Sequence, residues 1–233
     1  MITLNIRASL DMPAGKIAAQ CAHALSMLIL KRCEIVSEDS NTVKLKISDE
    51  GSCLLKLNAS NINLNFVNDE IFNQLSSNPL ASVVIDNGLT CFNNVKTPTV
   101  IATTQINGIV ENNLKFDVDK NISYKQIGMV NKNADQNEIV KIFAASSAQL
   151  LVNEFENNVL KLNKNSPLYS WLTGPFTKIV VGSRKINKFN ALYELLSDNK
   201  IKNIRNGDKV MVTEPVPDNE AQIYSRFSTF SLV

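Results

Sequence analysis

A strand followed by an alanine-rich helix opens this chain, and the same unit returns about half-way along it. "MITLNIRASL" alternates apolar and polar residues, with Ile2, Leu4 and Ile6 on one side, the pattern of a half-buried strand. Asp11 and Pro13 suit a helix start, and residues 16–31 carry helical periodicity. From residue 124 the order begins again: "YKQIGMV" (124–130) reads as a strand and 138–156 as a long helix. A shift of 125 positions brings Leu4 onto Met129, Arg7 onto Lys132, Lys16 onto Lys141, Ile17 onto Ile142, Ala19 onto Ala144 and Leu25 onto Leu150 without gaps. A shift of 119 brings "IDNG" (85–88) onto "IRNG" (204–207). Strands alternating with helices, repeated in this way, predict an α/β fold of two similar small domains. Each would be a mixed β-sheet flanked by helices.

Residues 42–48 and 53–57 read as strands of a hairpin around Asp49–Gly51, 69–77 as a short helix, and 81–88 and 97–106 as strands. Residues 107–124 are polar and asparagine-rich, the composition of a connector. In the second half, 166–174 and 187–199 read as helices, 177–183 as a buried strand, and 222–232 as a closing strand. The expected boundaries are 1–110 for the first domain, 111–123 for a linker and 124–233 for the second domain. A competing parse is one domain interrupted by a long insertion, but it leaves two versions of the first strand–helix unit and of the last turn.

The chain has 233 residues, 44% of them hydrophobic and 20% charged, which is material for a real core. No apolar run approaches the length of a membrane span, and the N-terminus lacks the basic-then-apolar order of a secretory signal. Cys21, Cys33, Cys53 and Cys91 form no CxxC pair, and His23 is the only histidine. A metal site is therefore unsupported, and the cysteines read as reduced thiols in a cytoplasmic-type compartment. The net charge of +2 is unevenly divided: residues 1–118 carry −2 and the remainder +4. A mildly basic second half suits a polyanion, although an ordinary solvated surface has the same composition.

The stretch "PAGKIAAQCAHALSMLIL" (13–30) carries unusual chemistry for a packing helix. Lys16, Gln20 and His23 fall at helical spacing on one face, while Ile17, Cys21, Leu25 and Leu28 share another. Lys16 also lies in the first turn, where free backbone N–H groups already attract anions. Spacing alone fits a solvated amphipathic face equally well.

These residues resemble a known signature. "GKIAAQCAHA" is similar to the GKxAAQCxHA-like motif of the archaeal-and-eukaryotic type of peptidyl-tRNA hydrolase, matching at Gly15, Lys16, Ala18, Ala19, Gln20, Cys21, His23 and Ala24. "DNGLT" resembles the family's D-x-G-x-T turn through Asp86, Gly88 and Thr90, and a Thr-bearing strand, "TPTVIAT", follows with Thr99. The resemblance covers residues 1 to about 106, with a poor match over 33–80. "LYSWLTGPFTKIVVGS" is similar to the family's Trp-bearing second helix and next strand (Trp171, Gly174, Lys178). In the second half Ala145 and Ala148 stand where Gln20 and His23 stand in the first, and Arg205 and Lys209 replace Asp86 and Thr90. The resemblance thus implies one competent unit and one degenerate unit, and, because members of the family are typically homodimers of a single domain, a pseudo-dimer of two similar domains within this one chain.

It also implies an activity: cleavage of the ester that joins a peptide to the ribose of tRNA, without metal or cofactor. On that reading Lys16 supplies a fixed positive charge near the scissile carbonyl or adjacent phosphate. Asp86 orients or activates the water, directly or through Thr90, and Gln20 positions water or substrate. His23, Gly88 and Thr99 are secondary candidates. Against these stand plainer roles: Asp86 as a turn residue, Gly88 as a permissive backbone position, Thr90 as a strand start, His23 as a structural hydrogen-bonding group, and Cys21 as core rather than nucleophile. Charge alone nominates Arg184, Lys185, Lys188 and Arg205 for tRNA binding. The expected partner is tRNA, with no membrane, and the chain is expected to act as a monomer in the cytoplasm. The rival expectation is a non-catalytic tRNA- or protein-binding module on the same scaffold.

Overall fold

The protein is described by a computed structural model that covers residues 1–88, 91–106, 124–225 and 231–232. The chain runs β1 (Ile2–Arg7), α1 (Ala14–Leu30), β2 (Cys33–Glu38), β3 (Thr42–Ile47), β4 (Ile62–Val67), α2 (Asp69–Ser76), β5 (Ser82–Asp86) and β6 (Thr97–Thr104). It continues with β7 (Tyr124–Asn131), α3 (Gln136–Val152), β8 (Phe155–Glu156), β9 (Val159–Asn163), α4 (Pro167–Thr173) and β10 (Thr177–Ser183). Then come α5 (Ile186–Asp198), β11 (Asn203–Asn206), β12 (Val210–Thr213), β13 (Val216–Pro217), α6 (Asp218–Ser225) and β14 (Ser231–Leu232). The fold is mixed α/β, with sheets flanked by helices.

One sheet has the strand order β4-β1-β6-β5 and another has β11-β12-β7-β10-β14. Read from the other end, β10-β7-β12-β11 repeats the first sheet's order. Strand directions repeat too: β1/β4 and β7/β10 are parallel, whereas β1/β6, β5/β6, β7/β12 and β11/β12 are antiparallel. Helices α1 and α3 pack on each other between these sheets. Small residues at the centre, Ala18, Ala22, Ala144, Ala145 and Ala148, are buried and permit the close approach. One continuous apolar core includes Leu4, Leu25, Leu45, Phe143, Leu160 and Trp171, and so crosses from the first half of the chain to the second. Separate clusters lie on the outer faces, around Phe72 under α2 and around Phe189 and Leu192 under α5. Gly128 in β7 makes room for Phe143: a Cβ there would lie 1.8 Å from its ring.

A third sheet, β2-β3-β9-β8, is built from both halves. β3 pairs antiparallel with β9, with Val43 opposite Leu162 and Leu45 opposite Leu160, all buried. Alternation along "TVKLKI" and "VLKLN" puts these leucines and valines on one face and lysines on the other.

Several expected elements are corrected here. Residues 53–57 are not a strand but part of a 3-10 helix, Glu50–Lys56. The hairpin partner of β3 is β2, joined through the Asp39 turn, where the Asp39 carboxylate accepts the Asn41 and Thr42 N–H groups. The long helix ends at Val152, and Asn157 and Asn158, both left-handed, make the β8–β9 turn. Residues 218–225 are helical, not strand, behind Pro217. Of the expected connector at 107–124, residues 107–123 lie outside the described residues and Tyr124 is the first residue of β7.

Candidate active site

The site forms where the N-terminus of α1 meets the end of β5 and the start of β6. Pro13 occupies the cap position of α1 without a side-chain cap, so Lys16 sits in a first turn whose N–H groups face outward. Lys16 and Gln20, one turn apart, both reach Asp86, the last residue of β5. Lys16 Nζ lies 2.5 Å from Asp86 Oδ2, and Gln20 Nε2 donates to the same oxygen at 2.6 Å. The other oxygen, Oδ1, accepts the Gly88 backbone N–H at 2.8 Å. Gly88 has a φ of +80°, and a Cβ there would lie 2.4 Å from the Val95 carbonyl oxygen. Only glycine fits that turn without strain. Asp86 is thus both a turn residue and the acceptor at the centre of the cluster.

Thr99, fully buried on β6, holds Gln20 from behind. Its hydroxyl lies 3.1 Å from Gln20 Oε1 and 3.3 Å from the Val84 carbonyl oxygen, and its single proton serves one acceptor at a time. Gln20 therefore bridges Thr99 and Asp86, with its amide nitrogen and oxygen each engaged in one hydrogen bond. The Lys16–Asp86 pair is mostly shielded, with side-chain exposures of 17% and 10%. Lys16 also lies 5.8 Å from the centroid of the Phe92 ring.

These groups open onto a cavity of about 480 Å³. Lys16, Gln20 and His23 line it from α1, and Asp86 from β5. The opposite wall comes from the second half of the chain: the loop before β10 and its first residues, 175–180. His23 packs edge-on against Phe176, with ring centroids 4.5 Å apart. Lys178 Nζ lies 3.7 Å from the Phe176 centroid and 4.5 Å from that of Trp171. Burial holds the His23 imidazole well below its ordinary pKa, and Lys178 lowers it further. Burial likewise pushes the Lys178 amine well down. Cys21 is fully buried and its thiol pKa is raised by that burial, so it is core and no nucleophile.

Residues 1–112 match the family model of peptidyl-tRNA hydrolase PTH2. No curated protein and no solved structure matches the chain. Within the segment that matches PTH2, Lys16, Gln20, Asp86, Gly88 and Thr99 come together in one cluster and His23 lines the same cavity. Thr90 lies outside the described residues.

The basic residues nominated by charge for tRNA binding are not among the residues that line the cavity. Arg184 and Lys185 are exposed, Lys188 is half-buried, and all three lie beyond the far end of β10 from the cavity. Arg205 donates to Asn190 Oδ1 at 2.7 Å and to Asp208 Oδ1 at 2.9 Å, and its guanidinium lies over Phe189 and Tyr193. Lys209 pairs with Glu138. Residues 175–180 were missing from the sequence-based candidates apart from Lys178 as a motif match. Only the packing of β10's first residues against α1 shows that they belong to the cavity.

Proposed function

We propose that the first half of the chain hydrolyses the ester bond of peptidyl-tRNA, or of a related N-blocked acyl-tRNA, releasing peptide and tRNA. The observation that carries this reading is the Asp86 carboxylate, fixed on both oxygens at the wall of a substrate-sized cavity. The PTH2 match over the same residues supplies the reaction class.

An ionised carboxylate offers about four lone-pair sites. Lys16 and Gln20 occupy Oδ2 and Gly88 occupies one side of Oδ1, which leaves the second side of Oδ1 for a water. Asp86 orients that water and draws on its proton as it attacks the ester carbonyl. The Lys16 ammonium places positive charge beside the oxyanion that develops. Gln20, held by Thr99, fixes the carboxylate and is spared reorganisation during the reaction.

The repeated strand order supports reading the second half, 124–233, as a degenerate copy of the 1–110 domain, joined across 111–123 and forming a pseudo-dimer with it. Its helix keeps Lys141, but Ala145 and Arg205 stand where Gln20 and Asp86 stand in the first. The position equivalent to Asp86 therefore carries no carboxylate to organise a water. Action on tRNA as a monomer in the cytoplasm belongs to the same reading; among the described residues no helix is long and apolar enough to cross a membrane.

The test is release of peptide from an N-blocked aminoacyl-tRNA by purified protein, with Asp86→Ala beside it. Release by the wild type and its loss in a folded variant support the hydrolase. A wild-type preparation that binds tRNA without releasing peptide overturns it in favour of a recognition module.

A further inference from the structure

The cavity wall contributed by the second half holds a buried basic group. Lys178 lines the cavity, yet its Nζ is out of contact with solvent and makes no hydrogen bond among the described residues. Aromatic faces attract an ammonium but leave its N–H donors unpaired. A buried donor without an acceptor is costly, so its retention calls for a reason.

The groups that face it sharpen the point. His23, facing this wall from α1, is a second base and packs edge-on against Phe176. Lys16 is a third basic group in the cavity. Asp86 is the one carboxylate among the lining residues, and Lys16 and Gln20 already engage it. Among the described residues this wall is therefore basic and Lys178 has no counter-charge of its own. Phe176, whose ring contacts both bases, has a φ of +55°. A bulky residue in that region is strained and persists only where its surroundings enforce it.

We propose that Lys178 is a ligand-binding residue donated by the second half of the chain to the cavity of the first, and that it takes a phosphate group of a nucleotide or RNA. The proposal rests on the reading of the cavity as the place of an acyl-tRNA terminus, whose phosphates are its anionic groups. Lysine has a flexible four-carbon stem. Rotation about it carries the amine from the aromatic rings to an anion in the cavity without backbone movement. The bound phosphate supplies the missing acceptor, and the amine takes up a proton as it pairs, because burial disfavours the charged form only while no anion is present.

Trp171 is the single tryptophan and lies against the Lys178 amine, so its fluorescence reports movement of that amine. The experiment titrates inorganic phosphate, adenosine 5′-monophosphate and deacylated tRNA into wild type and Lys178→Met, following Trp171 emission. Binding isotherms in buffers of different ionisation enthalpy count protons. The expected result is a saturable change in the wild type with net proton uptake. In the variant affinity should fall about 10- to 100-fold, the scale of one charge-assisted hydrogen bond, and the uptake should vanish. A response to phosphate and nucleotide assigns the site to a free phosphate; a response to tRNA alone assigns it to an RNA phosphodiester. Equal affinity in a folded Lys178→Met protein, or no response to any of the three, overturns the proposal. Peptide release is assayed separately: an inactive wild type that still binds phosphate through Lys178 removes the hydrolase reading and leaves this one standing.

Discussion

Gln20 and Thr99, 79 residues apart, meet at 3.1 Å. Through this contact a buried strand residue sets the angle at which a helix residue holds Asp86. Thr99→Val removes the hydroxyl and leaves Gln20 Oε1 without its donor. We expect a stability loss of about 1 kcal/mol. The rate constant for peptide release should fall more than KM changes, since Thr99 is fully buried and acts through Gln20. Thermal melts and steady-state kinetics on the same preparation check both.

Lys16 and Asp86 form an ion pair at 2.5 Å, and on the proposed mechanism they act as a unit. Lys16→Ala and Asp86→Asn should each lower peptide release by about 100- to 1,000-fold. The double variant should be little worse than either single one, because the first change already dismantles the pair. A double variant whose loss equals the product of the single losses would mean that the two residues work independently.

Gly88→Ala adds a Cβ at a left-handed position against the Val95 carbonyl. It should destabilise the protein by at least about 1 kcal/mol and withdraw the N–H that holds Asp86 Oδ1. Activity should drop with it. Gly207→Ala, at the matching turn of the second half, meets no atom within 4 Å and keeps only the backbone strain of a φ of +53°. It should cost less stability and leave Asp86 untouched.

Burial depresses the Lys178 pKa in the folded state below its unfolded value near 10.5. Between those two values the unfolded chain binds more protons than the folded one, so this residue makes stability rise with pH up to about the unfolded value. The contribution is fully present above 10.5 and is lost as pH falls toward the folded value. Lys178→Met should therefore melt higher than wild type at neutral pH, with the gap narrowing as pH approaches 10. His23 has the same sign at lower pH: its contribution is lost as pH falls from the ordinary histidine value near 6.5. Melting temperatures of wild type, Lys178→Met and His23→Ala across pH 5 to about 10 test both signs.

The shared sheet ties the halves together. Leu45 on β3 and Leu160 on β9 face each other in the common core. Leu45→Ala should cost about 2–5 kcal/mol. Trp171, in the other half, should report the same shift as far-ultraviolet circular dichroism. A Trp171 transition that stays at the wild-type midpoint would show that the halves unfold independently.

Much of the fold was legible because long periodic segments declare themselves. The strand and helix at 1–31, the helix at 69–76 and the strand at 177–183 follow from apolar spacing alone. The short hairpins were not legible. Residues 33–38 mix charge with apolar residues, and β9 is only five residues long, so local pattern is weak where partner strands come from distant sequence. "CLLKL" has strand composition, but it continues from a tight Ser48–Gly51 turn that carries it into a 3-10 helix.

The sequence by itself determined the α/β class, because strand and helix periodicities are local properties; Lys16, Gln20 and Asp86 were nominated by the family resemblance, since spacing and turn chemistry alone fit a solvated face and a turn equally well. Only the tertiary structure decided that Gln20 is held by Thr99, that Arg205 is spent on Asn190 and Asp208, and that β3 pairs with β9 across the halves. It alone brought Lys178 opposite His23. Those relations depend on how two helices and three sheets pack, and packing is fixed by shape and burial over the whole chain rather than by neighbours along it.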